Sequence, residues 1–380
     1  MQAPQTRSTP QERERGSAST TIGDAMTENL TSKADDHTRV EEGRTQTPSG
    51  ETDDELVGTV SASEDATKEA RLARLTAITG APQFMTRWLD RIYSHDDIDL
   101  VLESSTGLLP GTHSETELER AVRRAVLDRK NGGFVPSSFH ARYELWALYE
   151  HWADIPHEIR ELLNEWELSF YLEEVGPGIK ALADERCEDS DQADYTYLLL
   201  EEAEELLRTR TSIYLWPCNC RAMFGRCEKS QTVCLRFDNS RNVGWEITPE
   251  RAIQILRQCD KEGLMHTAYL SSSHGHHGVC NCCSDCCFPI LAGERLGAAD
   301  VWPVRRHVAV VDDDACTLCG RCVKRCPFGA LRIERSPERR LVINNAECRG
   351  CGVCATGCSA AALHMERRTG KLVHEKTVHD

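Results

Sequence analysis

Cys316-Thr317-Leu318-Cys319-Gly320-Arg321-Cys322-Val323-Lys324-Arg325-Cys326-Pro327 recurs 32 residues on as Cys348-Arg349-Gly350-Cys351-Gly352-Val353-Cys354-Ala355-Thr356-Gly357-Cys358-Ser359. The flanks obey the same shift: Val311 falls on Ile343, Ala330-Leu331 on Ala362-Leu363 and Ile333 on Met365. Each half therefore reads as strand, cysteine loop, short helix and strand, and residues 304–380 form a duplicated unit. Three thiolates on one tight loop can hold three corners of an iron-sulfur cubane, while the fourth, at the start of the next helix, points away and completes the other cluster. Cys316, Cys319, Cys322 and Cys358 are thus the ligands expected for one [4Fe-4S] cluster, and Cys348, Cys351, Cys354 and Cys326 for a second. Gly320 and Gly352 allow the loop backbone to approach the inorganic sulfurs and donate N–H groups to them. Zinc sites also use C-x2-C pairs, but two copies of the x2, x2, x3 series speak against zinc here.

These residues resemble the bacterial-type dicluster ferredoxins over about 70 residues, 307 to 375. The resemblance implies a βαββαβ fold with pseudo-twofold symmetry and one-electron transfer at low potential. The second repeat departs from the family pattern at Ser359, where the first has Pro327.

The remainder of the chain has a different character. It has 380 residues and 19 Cys, yet none precedes Cys187, so the thiols are a local apparatus and not a general stabilising framework. Neither an apolar leader at Met1 nor a long uninterrupted apolar run is present, so a cytoplasmic, reduced protein without a membrane span is expected. With 45 Lys+Arg against 61 Asp+Glu, the net charge of −16 argues against affinity for nucleic acid phosphates. Residues 304–380 carry 14 basic and 9 acidic groups, a net +5 attached to an acidic body. That contrast suggests docking on an acidic redox partner, or on the chain's own body.

Upstream lies Cys218-Asn219-Cys220-Arg221, followed by Cys227, Cys234 and then Cys280-Asn281-Cys282-Cys283-Ser284-Asp285-Cys286-Cys287. Nine thiols within 70 residues read as a metal site, and soft sulfur ligands favour a third iron-sulfur cluster, with zinc as the alternative and a redox-active thiol set as another. Adjacent cysteines such as Cys282-Cys283 and Cys286-Cys287 point in different directions on a regular backbone, so the group supplies more than one place. Cys218, Cys220, Cys280 and Cys283 make one possible set of four. Arg221 is placed to pair with cluster charge or to sit on the surface. His266, His274, His276 and His277 surround the second group, the last three in a loop that either delivers metal or is simply solvated. The segments Cys218 to Arg221, Gly263 to His266 and Cys280 to Cys287, ahead of two cluster motifs, also resemble a family of cytoplasmic iron-sulfur proteins with CNCR, GL(V/M)H and CNCC-rich segments. Phe288 stands where that pattern has a further cysteine. Cys259, on a helix opened by Thr248-Pro249 and closed by Gly263, reads as a small buried hydrophobe, and Cys187 as incidental.

Residues 1–66 hold no Phe, Trp or Tyr, 18 Ser or Thr and 14 acidic against 6 basic groups, the composition of a disordered acidic tail. From 67 to 212 apolar residues recur at helical spacing, as in Phe84, Trp88, Leu89 and Ile92, and in Ile159, Leu162, Leu163, Trp166 and Phe170 behind Pro156. An all-helical domain is expected there, with a further helix from Tyr195 to Arg208. The stretch from Asp97 to Val135 could instead be a winged helix, although Glu117, Glu119 and Asp128 beside Arg123 and Arg124 disfavour DNA reading. The expected architecture is multidomain α + (α+β): tail 1–66, helical domain 67–212, Cys-rich α+β region 213–303 and ferredoxin-like module 304–380.

No Rossmann or P-loop glycine pattern, nucleophile elbow or HExxH helix is found. The sequence therefore reads first as an electron-transfer protein or oxidoreductase subunit with two [4Fe-4S] clusters and a further metal site. A redox enzyme with a catalytic centre at the CNCR/CNCC region is the alternative, and an iron-sulfur redox sensor comes third.

Overall fold

The computed structural model describes residues 57–106, 113–185, 195–269 and 278–368. The tail before 57, Cys187 and the loop histidines His274, His276 and His277 lie outside the described residues. Among the described residues no helix is long and apolar enough to cross a membrane.

The N-terminal half opens on helix α1 (Val57–Thr79), which takes in the end of the stretch expected to be disordered. Short helices α2 (Leu89–Ile92), α3 (His95–Ser104) and α4 (Glu115–Arg123) follow. Ser94 and Asp97 close a capping box at the start of α3, and Ser114 caps α4. Two long helices, α5 (Phe139–Tyr149) and α6 (His157–Glu185), complete this half. Their apolar faces meet in a core that includes Leu75, Met85, Phe139, Tyr143 and Trp146. Arg142, fully buried in it, is paired with Glu150 at 2.6 and 2.8 Å.

The all-helical expectation for 67–212 fails at two places. Strands β1 (Leu127–Lys130) and β2 (Gly133–Pro136) form an antiparallel hairpin after α4. Tyr195–Leu198, expected as helix, is strand β3 of the next sheet, and only Leu200–Arg208 is helical (α7). Alternating, β-favouring Tyr195-Thr196-Tyr197 prevails over the helical pattern because both faces of that strand are buried.

The sheet also contains β4 (Ile213–Pro217), β5 (Thr232–Arg236), β6 (Trp245–Ile247), β7 (Met265–Tyr269) and β8 (Gly278–Cys282), in the order β3-β7-β8-β5-β4-β6. Every strand pairing within it is antiparallel. Helices α7 and α9 (Pro249–Lys261) cover one face through Ala203, Leu207, Ala252 and Leu256 against Ile213, Leu235, Ala268 and Val279. Between β4 and β5 lies the short helix α8 (Asn219–Phe224), and α10 (Phe288–Arg295) follows β8.

The C-terminal module runs β9 (His307–Val311), α11 (Arg321–Arg325), β10 (Leu331–Glu334), β11 (Arg340–Ile343), α12 (Val353–Thr356) and β12 (Leu363–Arg367). This is the expected βαββαβ order. Leu331 pairs with Ile343 and Leu363 with Val311, so positions 32 apart in sequence occupy equivalent places in the two antiparallel ladders, β10 with β11 and β9 with β12. The module is seated on the preceding sheet. Val304 bonds to both Tyr195 and Tyr197 of β3, Arg306 reaches Glu202 at 2.7 Å, and Thr356 donates to Asp260 at 2.8 Å. Part of its basic charge is thus met by the acidic body of the same chain.

Candidate metal centre

A strand turns alternate side chains to opposite faces, and the sheet uses that period to sort its chemistry. Val279, Leu235 and Ala268 face the helices, so Cys280 and Cys282 on β8, Cys234 and Arg236 on β5, and Tyr195 and Tyr197 on β3 face the other way. Cys218 precedes α8 as its N-cap with Cys220 in the first turn, and Cys287 is the N-cap of α10.

Together these bring six thiols into one chain of neighbours. Cys220 neighbours Cys218, Cys218 neighbours Cys234, Cys234 neighbours Cys280 and Cys280 neighbours Cys282, each thiol close enough to shift the ionisation of the next. Cys287 Sγ closes the series 3.3 Å from Cys282 Sγ. They line a cavity of about 350 Å³ whose opposite wall comes from α5 and α6: His140, Glu144, Glu167, Phe170 and Tyr171.

The remaining three thiols form a second group. Cys227 Sγ lies 3.6 Å from Cys283 Sγ and 3.9 Å from Cys286 Sγ, all three within 4.8 Å of one another. Adjacent cysteines part company, Cys282 and Cys287 to the first group, Cys283 and Cys286 to the second. The possible set Cys218, Cys220, Cys280 and Cys283 lines this one cavity, and Cys283, on the turn after β8, stands at its edge where it also neighbours Cys227 and Cys286.

Neutral thiols tolerate such burial, whereas several buried thiolates require cationic compensation. Hydrogen bonds from Cys280 and Cys287, aided by Thr267 and Tyr195 and outweighing burial, pull Cys282 well below the ordinary thiol range. Tyr195 Oη and Thr267 Oγ1 lie 3.4 and 3.3 Å from its sulfur, and 2.7 Å from each other. Burial pushes Cys287 up. Arg221 is buried between the two groups. It donates to the carbonyls of Ser230 and Asn281, and the charges of Cys218 and Cys283 hold it protonated against its burial. It is no surface arginine.

Asn281 ties this region together from the helix-facing side, where it accepts from His266 Nδ1 at 2.7 Å and donates to Val233 O at 2.6 Å. His266 is buried, which pushes its imidazole below the ordinary range, and it sits on the face turned away from the thiols. Its place is therefore that of a positioning residue and not of a ligand. Phe288, where a cysteine was expected, packs its ring 5.0 Å from Phe224. Cys259 is buried on α9, with burial pushing its thiol up to about 12.

In the C-terminal module Cys316, Cys319, Cys322 and Cys358 line one small cavity of about 20 Å³, and Cys326, Cys348, Cys351 and Cys354 another of about 10 Å³. Gly320 and Gly352, at φ 73° and 78°, hold the left-handed turns that open α11 and α12. A Cβ on Gly352 would also stand 3.0 Å from Leu199 Cδ2, so the second loop is fitted to the body. The first set reaches solvent through exposed Cys319, whereas the second faces inward.

At that inner face Tyr197 is fully buried and packs in one apolar cluster with Cys282 and Cys287 of the sheet centre and with Val353, Phe328 and Cys351 of the module. Its ring lies 6.4 Å from that of Phe328, nearly at right angles. Burial, joined by the charge of Cys351, holds the phenol protonated.

Sequence reasoning passed over Tyr195, Tyr197, Thr267, His140 and Glu167. The Tyr-Thr-Tyr alternation was the available sign for the first two, and helix spacing alone gave none for the others. Residues 309–360 match the family model described as a 4Fe-4S dicluster domain. No curated protein matches the chain. The match implies iron-sulfur cluster binding in the C-terminal module, and two clusters are consistent with it.

Proposed function

We propose that the chain is an iron-sulfur electron-transfer protein whose ferredoxin module passes electrons inward to a further metal-sulfur centre held by Cys218, Cys220, Cys234, Cys280, Cys282 and Cys287. The observation that carries this reading is the shared packing of Tyr197 with Cys351 on one side and Cys282 and Cys287 on the other. In the module, Cys316, Cys319, Cys322 and Cys358 would hold one [4Fe-4S] cluster and Cys348, Cys351, Cys354 and Cys326 the second. A bound cluster supplies a reversible one-electron step. Exposed Cys319, flanked by Arg321, gives the outer end of the route, and a protein with an acidic face is the partner that its charge fits. Cys351 gives the inner end. Numerous unpaired thiols suit a reducing compartment such as the cytoplasm.

A second reading, a catalytic centre at the same six cysteines fed by the module, is favoured by the size of the cavity. Its roughly 350 Å³ exceeds the 10 and 20 Å³ of the module's sites and leaves space for a bound molecule beside a metal centre. His140 and Glu167 would form the proton-holding wall, 2.8 Å apart, with Glu167 Oε2 buried and without a hydrogen-bond partner among the described residues.

Iron and acid-labile sulfide analysis of anaerobically purified protein tests the proposal. More than about eight iron atoms per chain are expected, falling to about eight in a Cys282→Ser/Cys287→Ser variant. Eight in both proteins would overturn the inner centre.

A further inference from the structure

The three-thiol group differs in kind from the six-thiol cavity. Its sulfur separations from Cys227, 3.6 and 3.9 Å, bracket the edge of a small tetrahedron. A tetrahedral metal with metal–sulfur bonds of about 2.3 Å, the zinc–thiolate length, sets its sulfurs about 3.8 Å apart. Cubane ligands bind four separate irons and stand farther apart, and among the described residues none of the eight module cysteines enters a group this tight. The sequence agrees: Cys283-Ser284-Asp285-Cys286 is a C-x2-C pair on the turn after β8, completed by Cys227 from the loop after α8.

We propose that Cys227, Cys283 and Cys286 bind a single zinc ion, separate from the iron-sulfur chemistry, with the fourth position taken by a small exogenous ligand such as water or a thiol. Three protein ligands with an open fourth position is the arrangement of zinc sites that exchange a ligand, whereas closed structural sites use four. Charge fits as well. Zinc with three thiolates carries one negative charge, and the guanidinium of Arg221, buried beside Cys283, carries one positive charge. Cys283 and Cys286 also line the large cavity, which places the zinc at its edge, next to the six-thiol group. The ion would pin the Cys227 loop to the Cys283–Cys286 turn across 56 residues of sequence.

This inference stands apart from the proposed inner redox centre, since iron content decides that reading and zinc content decides this one. Full-length protein purified anaerobically should contain one zinc per chain. Cys227→Ser should lose it while iron and acid-labile sulfide stay at their wild-type amounts. As a check that does not depend on the variant's folding, cobalt incorporated in place of zinc in the wild-type protein should give the visible bands of a tetrahedral thiolate site. Added 2-mercaptoethanol should shift those bands by entering the fourth position. Absence of zinc from the wild-type protein, loss of iron instead of zinc in Cys227→Ser, or cobalt bands indifferent to the thiol would each overturn the proposal as stated.

Discussion

The C-terminal module and the sheet region carry nearly the same number of clustered cysteines and organise them by opposite means. The module places eight in two short segments, each a loop, a helix of one turn or so and the residues just after it, and the register of its two antiparallel strand pairs repeats at a spacing of 32. The sheet region draws nine from the end of β4, α8 and the loop after it, β5, β8 and the turn into α10. In the module, the grouping of cysteines follows the repeated spacing. In the sheet region it depends on β5 lying beside β8 and on which face each residue takes, so strand pairing between distant segments assembles the site.

That difference can be broken at the junction where the two regions meet. Tyr197→Ala removes the fully buried ring between Cys351 and Cys282 and should cost about 3–5 kcal/mol in chemical denaturation. It should also slow electron passage between the module and the inner centre, whereas Tyr197→Phe should preserve both. Equal internal transfer rates in the two variants would remove Tyr197 from the route.

A milder change sharpens the division of cysteines. Cys259→Ala, in the core of α9, should cost about 1 kcal/mol and leave iron, sulfide and zinc contents at wild-type amounts. Loss of any metal would show that the sheet region uses a tenth thiol.

The smallest expected effect concerns the cavity wall, which has no counterpart in the module. Burial alone would lower His140, but the hydrogen bond to Glu167 and its charge outweigh it and raise His140; burial raises Glu167 as well. Glu144 and Glu174 act on both groups in the same upward direction, and Arg236 is already paired with Glu144 at 2.8 Å. A raised folded pKa means that the folded chain holds its proton more tightly than the unfolded chain. The stabilising contribution is then full below the unfolded value, about 6.5 for histidine, and is lost as pH rises through the folded one. Melting temperature should decline as pH rises above about 6.5, and Glu167→Gln should flatten that decline. An unchanged slope would detach the pair from it.

The same contrast decides what the sequence could reveal. The module was legible because its two cysteine groups, its glycines and its strand order all follow from a motif read along the chain. In the sheet region Cys280 and Cys282 could be placed on one face by their spacing of two, and the divergence of Cys282 from Cys283 follows from the same rule. Pairing of Cys234 with Cys218 and Cys280, and of Cys227 with Cys283 and Cys286, does not, since it requires the strand order. Tyr195 to Leu198 shows the cost of reading pattern without context: a short segment ahead of a true helix was absorbed into it, and with it went the residues that join the two regions. His140 and Glu167 sit on helices whose spacing marks them as ordinary positions, and only the packing of α5 and α6 over the sheet brings them to the cavity.

Low-temperature EPR of the fully reduced protein tests the central claim most directly, because spins in neighbouring centres broaden one another's signals. The packing of Tyr197 between Cys351 and Cys282 predicts an interaction beyond that of two ferredoxin clusters. It should be lost in Cys282→Ser/Cys287→Ser, leaving a plain two-cluster spectrum. A wild-type spectrum identical to that of the double variant would contradict it.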